Sequence, residues 1–349
     1  MMTEADMDFL PDPLIRAAVE ERFNEPVGYA PPYGTSGVAG ALADFYQHRH
    51  GLDVPAEAFW LHSGTLQAAV LIFDALLEAG DEVLYFTPSF RPIREVVEAA
   101  GGHPVPVGLD PFSERPFSPE GLSRALSPRT RAIFLCHPHN PTGYVFSPED
   151  LALLAEVAVR EDLMIVSNEL HARVLLEGTY TSMASFGGEV ARRTLVLSGA
   201  TKSHNIAGIG GGFAFSRSRE LVDRIKGRVG YRLGSARPLQ QAAMVAAYRT
   251  EDSPWLVETL ATLRRSRDLL RDALAEKGVV SSAPTATYFL WSVLPEDDDR
   301  SLARLMRDRC RVAGLPGTDF LSSDRHLRLV YATDARRIGE VVGRLRKEW

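Results

Sequence analysis

Residues 194–208 read TLVLSGATKSHNIAG, in which a short apolar run, Thr194–Ser198, gives way to Gly199, Thr201 and Lys202. Such a run bounded by polar and turn-forming residues is the mark of a strand buried on both faces. The arrangement recurs upstream, where AIFL (132–135) runs into CHPHNPTG (136–143) and LMIVS (163–167) runs into NELH (168–171). EVLYF (82–86) and GFAF (212–215) read as further strands, and helical stretches separate most of these runs. Two helices are announced by Ser-Pro-Glu, at 118–120 and 147–149, where serine caps, proline takes the first helical position and the acid meets the helix dipole. A third, 66–79, is apolar at helical spacing and stops at Gly80. Strands alternating with helices need right-handed crossovers, so the expected fold is α/β, with a mostly parallel sheet covered by helices on both faces.

Past residue 236 the pattern changes. A long charged helix (255–277), a strand (288–293), a helix (301–313), a strand (326–331) and a last helix describe a smaller α+β unit. The expected division is an N-terminal arm, 1–45, packing with the small unit or with a partner subunit, then a large unit, 46–235, and a small one, 236–349.

Composition narrows the function. Of 349 residues 45% are apolar and 24% charged, as in ordinary globular chains, and the net charge of −6 lacks the basic excess of a nucleic-acid binder. No apolar run reaches the roughly 18 residues of a membrane span, and MMTEADMDF has neither a basic nor an apolar leader segment. A cytoplasmic protein without nucleic-acid or membrane partners is expected. Cys136 and Cys310 make no disulfide framework, which fits a reducing compartment. Only four of the 39 basic residues, Lys202, Lys226, Lys277 and Lys347, are lysines. A lysine kept in a glycine-rich apolar setting therefore asks for chemistry that arginine cannot do, and Lys202 alone fits.

Ligands of open parallel sheets bind beyond the carboxyl ends of the strands. The segments led by Cys136, Asn168 and Gly199 should meet in one crevice there. Ser63, Gly64 and Thr65, just before a helix, add backbone N–H groups and a dipole suited to phosphate. A phosphate cradle beside a lysine points to pyridoxal 5′-phosphate. The H-x-H of His137 and His139 lacks a third metal ligand at usable spacing. The glycines at 208 and 210–212 lack the ribose-binding acid of a dinucleotide site, and no GxSxG, HExxH or Walker motif occurs. No metal is expected.

In this order, SGT, NPTG, an acid or amide followed three residues on by His or Tyr, then Thr-Lys and a late arginine resemble the fold-type I pyridoxal-phosphate enzymes of the aminotransferase class I/II superfamily, over nearly the whole chain. ADMDF (5–9), HPHNPTG (137–143), His171 and KSHNIAG (202–208) look like its cystathionine β-lyase-type C–S lyase branch. The resemblance makes Lys202 the catalytic lysine that bonds the cofactor and later carries the proton. It makes Asn140 the donor to the cofactor's phenolic oxygen with His171 at the same edge, and Phe90 the ring stacked on the pyridine. Ser63, Gly64, Thr65 and Thr201 would hold phosphate, as would Tyr29, five residues before Gly34, reaching across from the partner of a homodimer. Arg328 would fork onto the substrate carboxylate, with Asp6 also at the substrate. Plainer readings stand beside these: Asn140 and Asn168 as turn formers, Arg328 as a solvated strand end, Asp6 and Asp8 as helix caps.

The chain also departs from the pattern. Asn168 stands where most relatives have the aspartate that keeps the pyridine nitrogen protonated, Gly210 where many have a phosphate-binding arginine, and Val330 where an asparagine follows the carboxylate arginine. An uncharged residue at 168 suggests that elimination from Cβ is favoured over amino transfer. The expected activity is thus β-elimination on an S-substituted cysteine, a small-molecule amino-acid substrate. The alternatives are an aminotransferase, a decarboxylating oxidative deaminase, or a binding module without turnover.

Overall fold

A computed structural model of the chain describes residues 2–29, 36–250 and 252–349. Eleven strands are present among them: β1 Phe59–His62, β2 Glu82–Thr87, β3 His103–Gly108, β4 Thr130–Cys136, β5 Met164–Asn168, β6 Thr194–Ser198, β7 Gly212–Phe215, β8 Val280–Ser281, β9 Phe289–Val293, β10 Leu315–Pro316 and β11 His326–Val330. The first seven form one sheet in the order β1-β7-β6-β5-β4-β2-β3, and the last four an antiparallel sheet in the order β10-β11-β9-β8. In the large sheet every pairing is parallel except those of β7, which runs antiparallel to both β1 and β6. The expected mostly parallel α/β fold is therefore present, with β7 the strand that reverses.

Side chains alternate between the two faces with the period of two that a strand imposes. Val83, Tyr85, Ala132, Phe134 and Leu197 pack with Ile72, Phe73, Leu221 and Ile225, contributed by helices Thr65–Leu76 and Arg219–Val229. Leu84, Phe86, Ile133, Leu135 and Ile165 point the other way, onto Leu151, Leu154 and Ala158 of helix Pro148–Arg160. Each fully buried side chain of this size contributes about 1.5–3 kcal/mol relative to exposure, which explains why the sheet carries no polar face. Helix Pro148–Arg160 starts with the expected serine cap: Asp150 N donates to Ser147 Oγ at 3.1 Å and Ser147 N to Asp150 Oδ2 at 3.0 Å.

Two boundaries differ from expectation. Helix 66–79 closes early, as Thr65–Leu76, because Leu77 turns into the core, and Gly80 with φ of +91° shapes the bend into β2 instead of capping the helix. Helix Pro238–Arg249, which lies within the range expected of the small unit, packs on helices Pro13–Arg22 and Ser36–His50 and shares a core with β1, β6 and β7. Residues 2–9 lie with the small sheet, while the helices Pro13–Arg22 and Ser36–His50 that follow share the core of β1, β6 and β7. Met2 and Met7 join the core of the small sheet, Met2 N donates to Ala313 O, and Val330 N donates to Met2 O.

Candidate functional site

β1, β2, β4, β5 and β6 all end at the same edge, so the residues following them, from Ser63 to Lys202, face a common region. The loop carrying Lys202 is tied by His204 N to Ala200 O and by Ile206 N to Thr201 O, both close to 3 Å. Asn205 takes the left-handed backbone (φ +54°) that asparagine tolerates. It clamps the N-terminal segment: Oδ1 accepts from Met7 N at 2.9 Å, and Nδ2 donates to Met7 O at 2.9 Å and Phe9 O at 2.6 Å.

That segment lies over the lysine. Lys202 Nζ, its side chain 20% exposed, donates to Ala5 O at 2.8 Å and stands 4.0 Å from Asp6 Oδ1. Burial lowers the proton affinity of the amine, and Arg328 lowers it further against the opposing carboxylates of Asp6 and Glu4. The buried hydroxyl of Tyr288 donates to the same Ala5 carbonyl, also at 2.8 Å.

Arg328 is fully buried near the middle of β11. Its guanidinium carbon sits 4.4 Å from the Phe289 ring centre and 4.9 Å from that of Phe320. Nη1 donates to Asn140 Oδ1 at 3.1 Å and Nη2 to Thr3 O at 2.6 Å, while Nε has no partner among the described residues. Burial brings its pKa down to about 10, so it keeps its charge at neutral pH. A buried arginine with an idle N–H is built to receive an anion.

Asn140 owes its place to the turn around it. His139 Nδ1 meets Thr142 Oγ1 at 2.9 Å, and Gly143 N donates to His139 O. Gly143 has φ of +70°, and a Cβ there would fall 2.3 Å from Pro284 Cβ and 2.7 Å from Ala286 O, so only glycine closes this turn. His137 binds Thr181 O through Nε2, and burial holds both histidines neutral at about 4. These are structural histidines with engaged ring nitrogens.

His171 is buried against Tyr288 and Phe289, and its Nδ1 lacks a partner among the described residues. Burial, then Lys202 and Arg328, bring its pKa to about 3, so the ring is neutral. Asn168 ends β5, beside Cys136 and Leu197, and its Oδ1 accepts from Leu170 N at 3.3 Å. Phe90 is part-buried next to Ser89, whose N–H donates to Phe320 O, beside the arginine.

Ser63, Gly64, Thr65 and Thr201 are only part-buried, and Gly64 caps helix Thr65–Leu76 without a side-chain bond to its first N–H groups. At Gly210 (φ +76°) a Cβ would meet Gln240 Nε2 at 3.1 Å and Ser63 O at 3.2 Å, so the space beside Ser63 is already filled.

Tyr29 is the exception. It is fully exposed and touches none of these groups within its own chain, and Gly34 lies outside the described residues. A cavity of about 750 Å³ opens elsewhere, bordered by Tyr46, Glu169, Tyr180 and Tyr248. Glu169 is raised in pKa by burial and held by Ser167, Ser182 and Met183 N. Tyr288, Asn205 and the carbonyls of Thr3 and Ala5 are site groups that the sequence reading missed, since each depends on the N-terminal segment crossing the crevice.

The donors present fit pyridoxal phosphate. A desolvated lysine, an uncapped helix N-terminus with three hydroxyl side chains, an orphaned imidazole nitrogen and two asparagine amides match an aldehyde, a phosphate and a polar ring.

Comparison with known proteins agrees with this set. A model of the aminotransferase class I and II family matches residues 3–345. The aspartate/prephenate aminotransferase of Thermus thermophilus is 31% identical over 351 residues, covering 98% of this chain and 89% of that protein. The probable N-succinyldiaminopimelate aminotransferase of Mycobacterium tuberculosis is 32% identical over 299 residues, covering 84% and 74%. A solved structure of a Thermus thermophilus aspartate aminotransferase mutant superposes with a TM-score of 0.90 at 30% identity, covering 98% of this chain and 94% of that one. These relatives do not support the expected C–S lyase branch: the similarity lies with aminotransferases.

Proposed function

Since the chain belongs to the aminotransferase class I and II family, whose members depend on pyridoxal phosphate, we propose that it transfers the amino group of an α-amino acid to a 2-oxo acid, with Lys202 as its catalytic residue. One observation carries this reading: Lys202 Nζ and Arg328 Nη2 each hold a carbonyl oxygen of one short segment, those of Ala5 and Thr3. A lysine and a carboxylate-binding arginine thus address a single small ligand.

When bound, pyridoxal phosphate supplies an aldehyde for the amino group and a ring that withdraws electrons from Cα. Ser63, Gly64, Thr65 and Thr201 would hold its phosphate, Asn140 and His171 its phenolic edge, Asn168 its nitrogen and Phe90 its face, with the partner's copy of Tyr29 completing the phosphate site of a homodimer. Arg328 binds the α-carboxylate through its fork, braced by Asn140 and the two aromatic rings. Lys202, whose amine gives up its proton more readily because it is desolvated, takes the proton from Cα. The substrate displaces the carbonyls of Thr3 and Ala5 as it enters, and the rest of the N-terminal segment, with Asp6, keeps water from the lysine.

The rival reading is β-elimination, which Asn168 favours. Borohydride reduction with peptide mapping should label Lys202. Product analysis on a panel of amino acids should then show a 2-oxo acid product only when a second 2-oxo acid is supplied. Release of ammonia and thiol without an acceptor would establish elimination instead, and an unlabelled Lys202 would overturn both.

A further inference from the structure

Both asparagines of the site have their carbonyl oxygens engaged by donors of the protein. Asn140 Oδ1 accepts from Arg328 Nη1, and Asn168 Oδ1 accepts from the backbone N–H of Leu170 at 3.3 Å. A backbone N–H can only donate, so it fixes which end of the Asn168 amide is oxygen; the reverse orientation would set NH2 against N–H. Among the described residues neither Nδ2 has an acceptor. The unengaged end of each side chain is therefore an N–H donor.

We propose that Asn168 Nδ2 donates to the pyridine nitrogen of bound pyridoxal phosphate and so holds that nitrogen unprotonated. The inference rests on the cofactor reading above and concerns this chain's departure from its relatives. An aspartate here would offer one oxygen to Leu170 N–H and a second, charged, to a ring N–H. Asparagine offers no charge, and its remaining group is a donor, which pairs with a ring nitrogen carrying a lone pair.

The surroundings act in the same direction. Of the cationic groups that bear on neighbouring His171, Arg328 keeps its charge when Lys202 is bonded to the cofactor, and it disfavours a further positive charge. Cys136, beside Asn168 on β4, has its thiol pushed up to about 11 by burial and stays neutral. Glu169, the next residue, is buried with its carboxyl committed to Ser167, Ser182 and Met183 N. A ring kept neutral draws less strongly on the electrons at Cα, so more of the burden of moving the proton falls on Lys202.

The test uses holoenzyme reconstituted with pyridoxal phosphate labelled with nitrogen-15 in the ring. The ring resonance of the native protein should stay at the position of an unprotonated pyridine between pH 6 and 9, and in Asn168→Asp it should move to that of the protonated ring. A protonated ring in the native protein overturns the proposal, as does an unprotonated ring in the folded Asn168→Asp variant. Borohydride labelling of Lys202 in the same samples separates the two failures. Without the label the cofactor reading falls; with the label and a protonated ring, only the role of Asn168 falls.

Discussion

Replacing Arg328 by lysine keeps the charge and removes the fork. In the native chain Nη1 is spent on Asn140 at 3.1 Å and Nη2 reaches Thr3 O at 2.6 Å, the oxygen that a substrate carboxylate would replace. A single ammonium cannot brace Asn140 and also make two bonds to a carboxylate, and it loses the flat stacking between Phe289 and Phe320. One charge-assisted hydrogen bond has a net value of about 1.5–3 kcal/mol, which corresponds to weakening of about 10- to 150-fold. Spectral titration of the holoenzyme gives Kd for an amino acid and for the amine that lacks its carboxylate. Arg328→Lys should bind the amino acid about 10- to 150-fold more weakly and leave the amine within about threefold. Equal losses for both ligands, or no loss for either, would refute the assignment. A urea unfolding curve on the same variant checks that the buried site still folds.

Other perturbations reach different parts of the structure. Asn205→Ala removes three hydrogen bonds to Met7 and Phe9 and should cost about 2–4 kcal/mol locally, seen as faster amide exchange confined to residues 2–9; unchanged exchange would show that the small sheet alone holds the segment. Gly143→Ala forces a Cβ onto Pro284 and Ala286 O at positive φ and should destabilise by about 2–4 kcal/mol, with a native unfolding midpoint as the contrary result. His62, His137 and His139 are held at about 4 in the fold against about 6.5 in the unfolded chain. The unfolded state therefore binds protons first. Stability present above pH 6.5 is lost as pH falls towards 4, by up to about 3 kcal/mol per histidine. Urea midpoints at pH 7 and 5 check this, and His137→Asn should flatten the dependence.

What could be read from sequence was what short windows encode. Lys202 stood out because lysine is scarce and the residue follows a buried strand, and the strand runs at 82, 132, 163, 194 and 212 lie within one or two residues of β2, β4, β5, β6 and β7. β3 escaped notice because HPVPVG carries two prolines, which an edge strand tolerates and a central one does not. β1 is only four residues long and merges with the turn at Ser63. Tyr288 looked like an ordinary strand residue; its partner, Ala5, lies 283 positions away, and Thr3 lies 325 from Arg328. Contacts over such separations leave no periodicity to detect. Residues 238–249 fall in the range expected of the small unit because the pattern changes near residue 236, whereas the packing of helix Pro238–Arg249 follows the aromatic cluster of Phe45, Phe213 and Tyr248.

Residues 2–9 are held along their length by the small unit, through Met2 and through Asp8, whose N–H donates to Ala332 O and whose carboxylate pairs with Arg337, and also by the lysine loop. Met2 is stitched to Ala313 and Val330 beside the small sheet, and Met7 and Phe9 are gripped by Asn205 on the lysine loop. The stretch between Met2 and Met7 carries the oxygens that rest on Arg328 and Lys202. Thr3 and Ala5 are two residues apart on that one stretch, so a ligand that takes the place of one oxygen has to shift the backbone that carries the other. The amine and the guanidinium are thus covered by a single piece of backbone rather than by two independent groups.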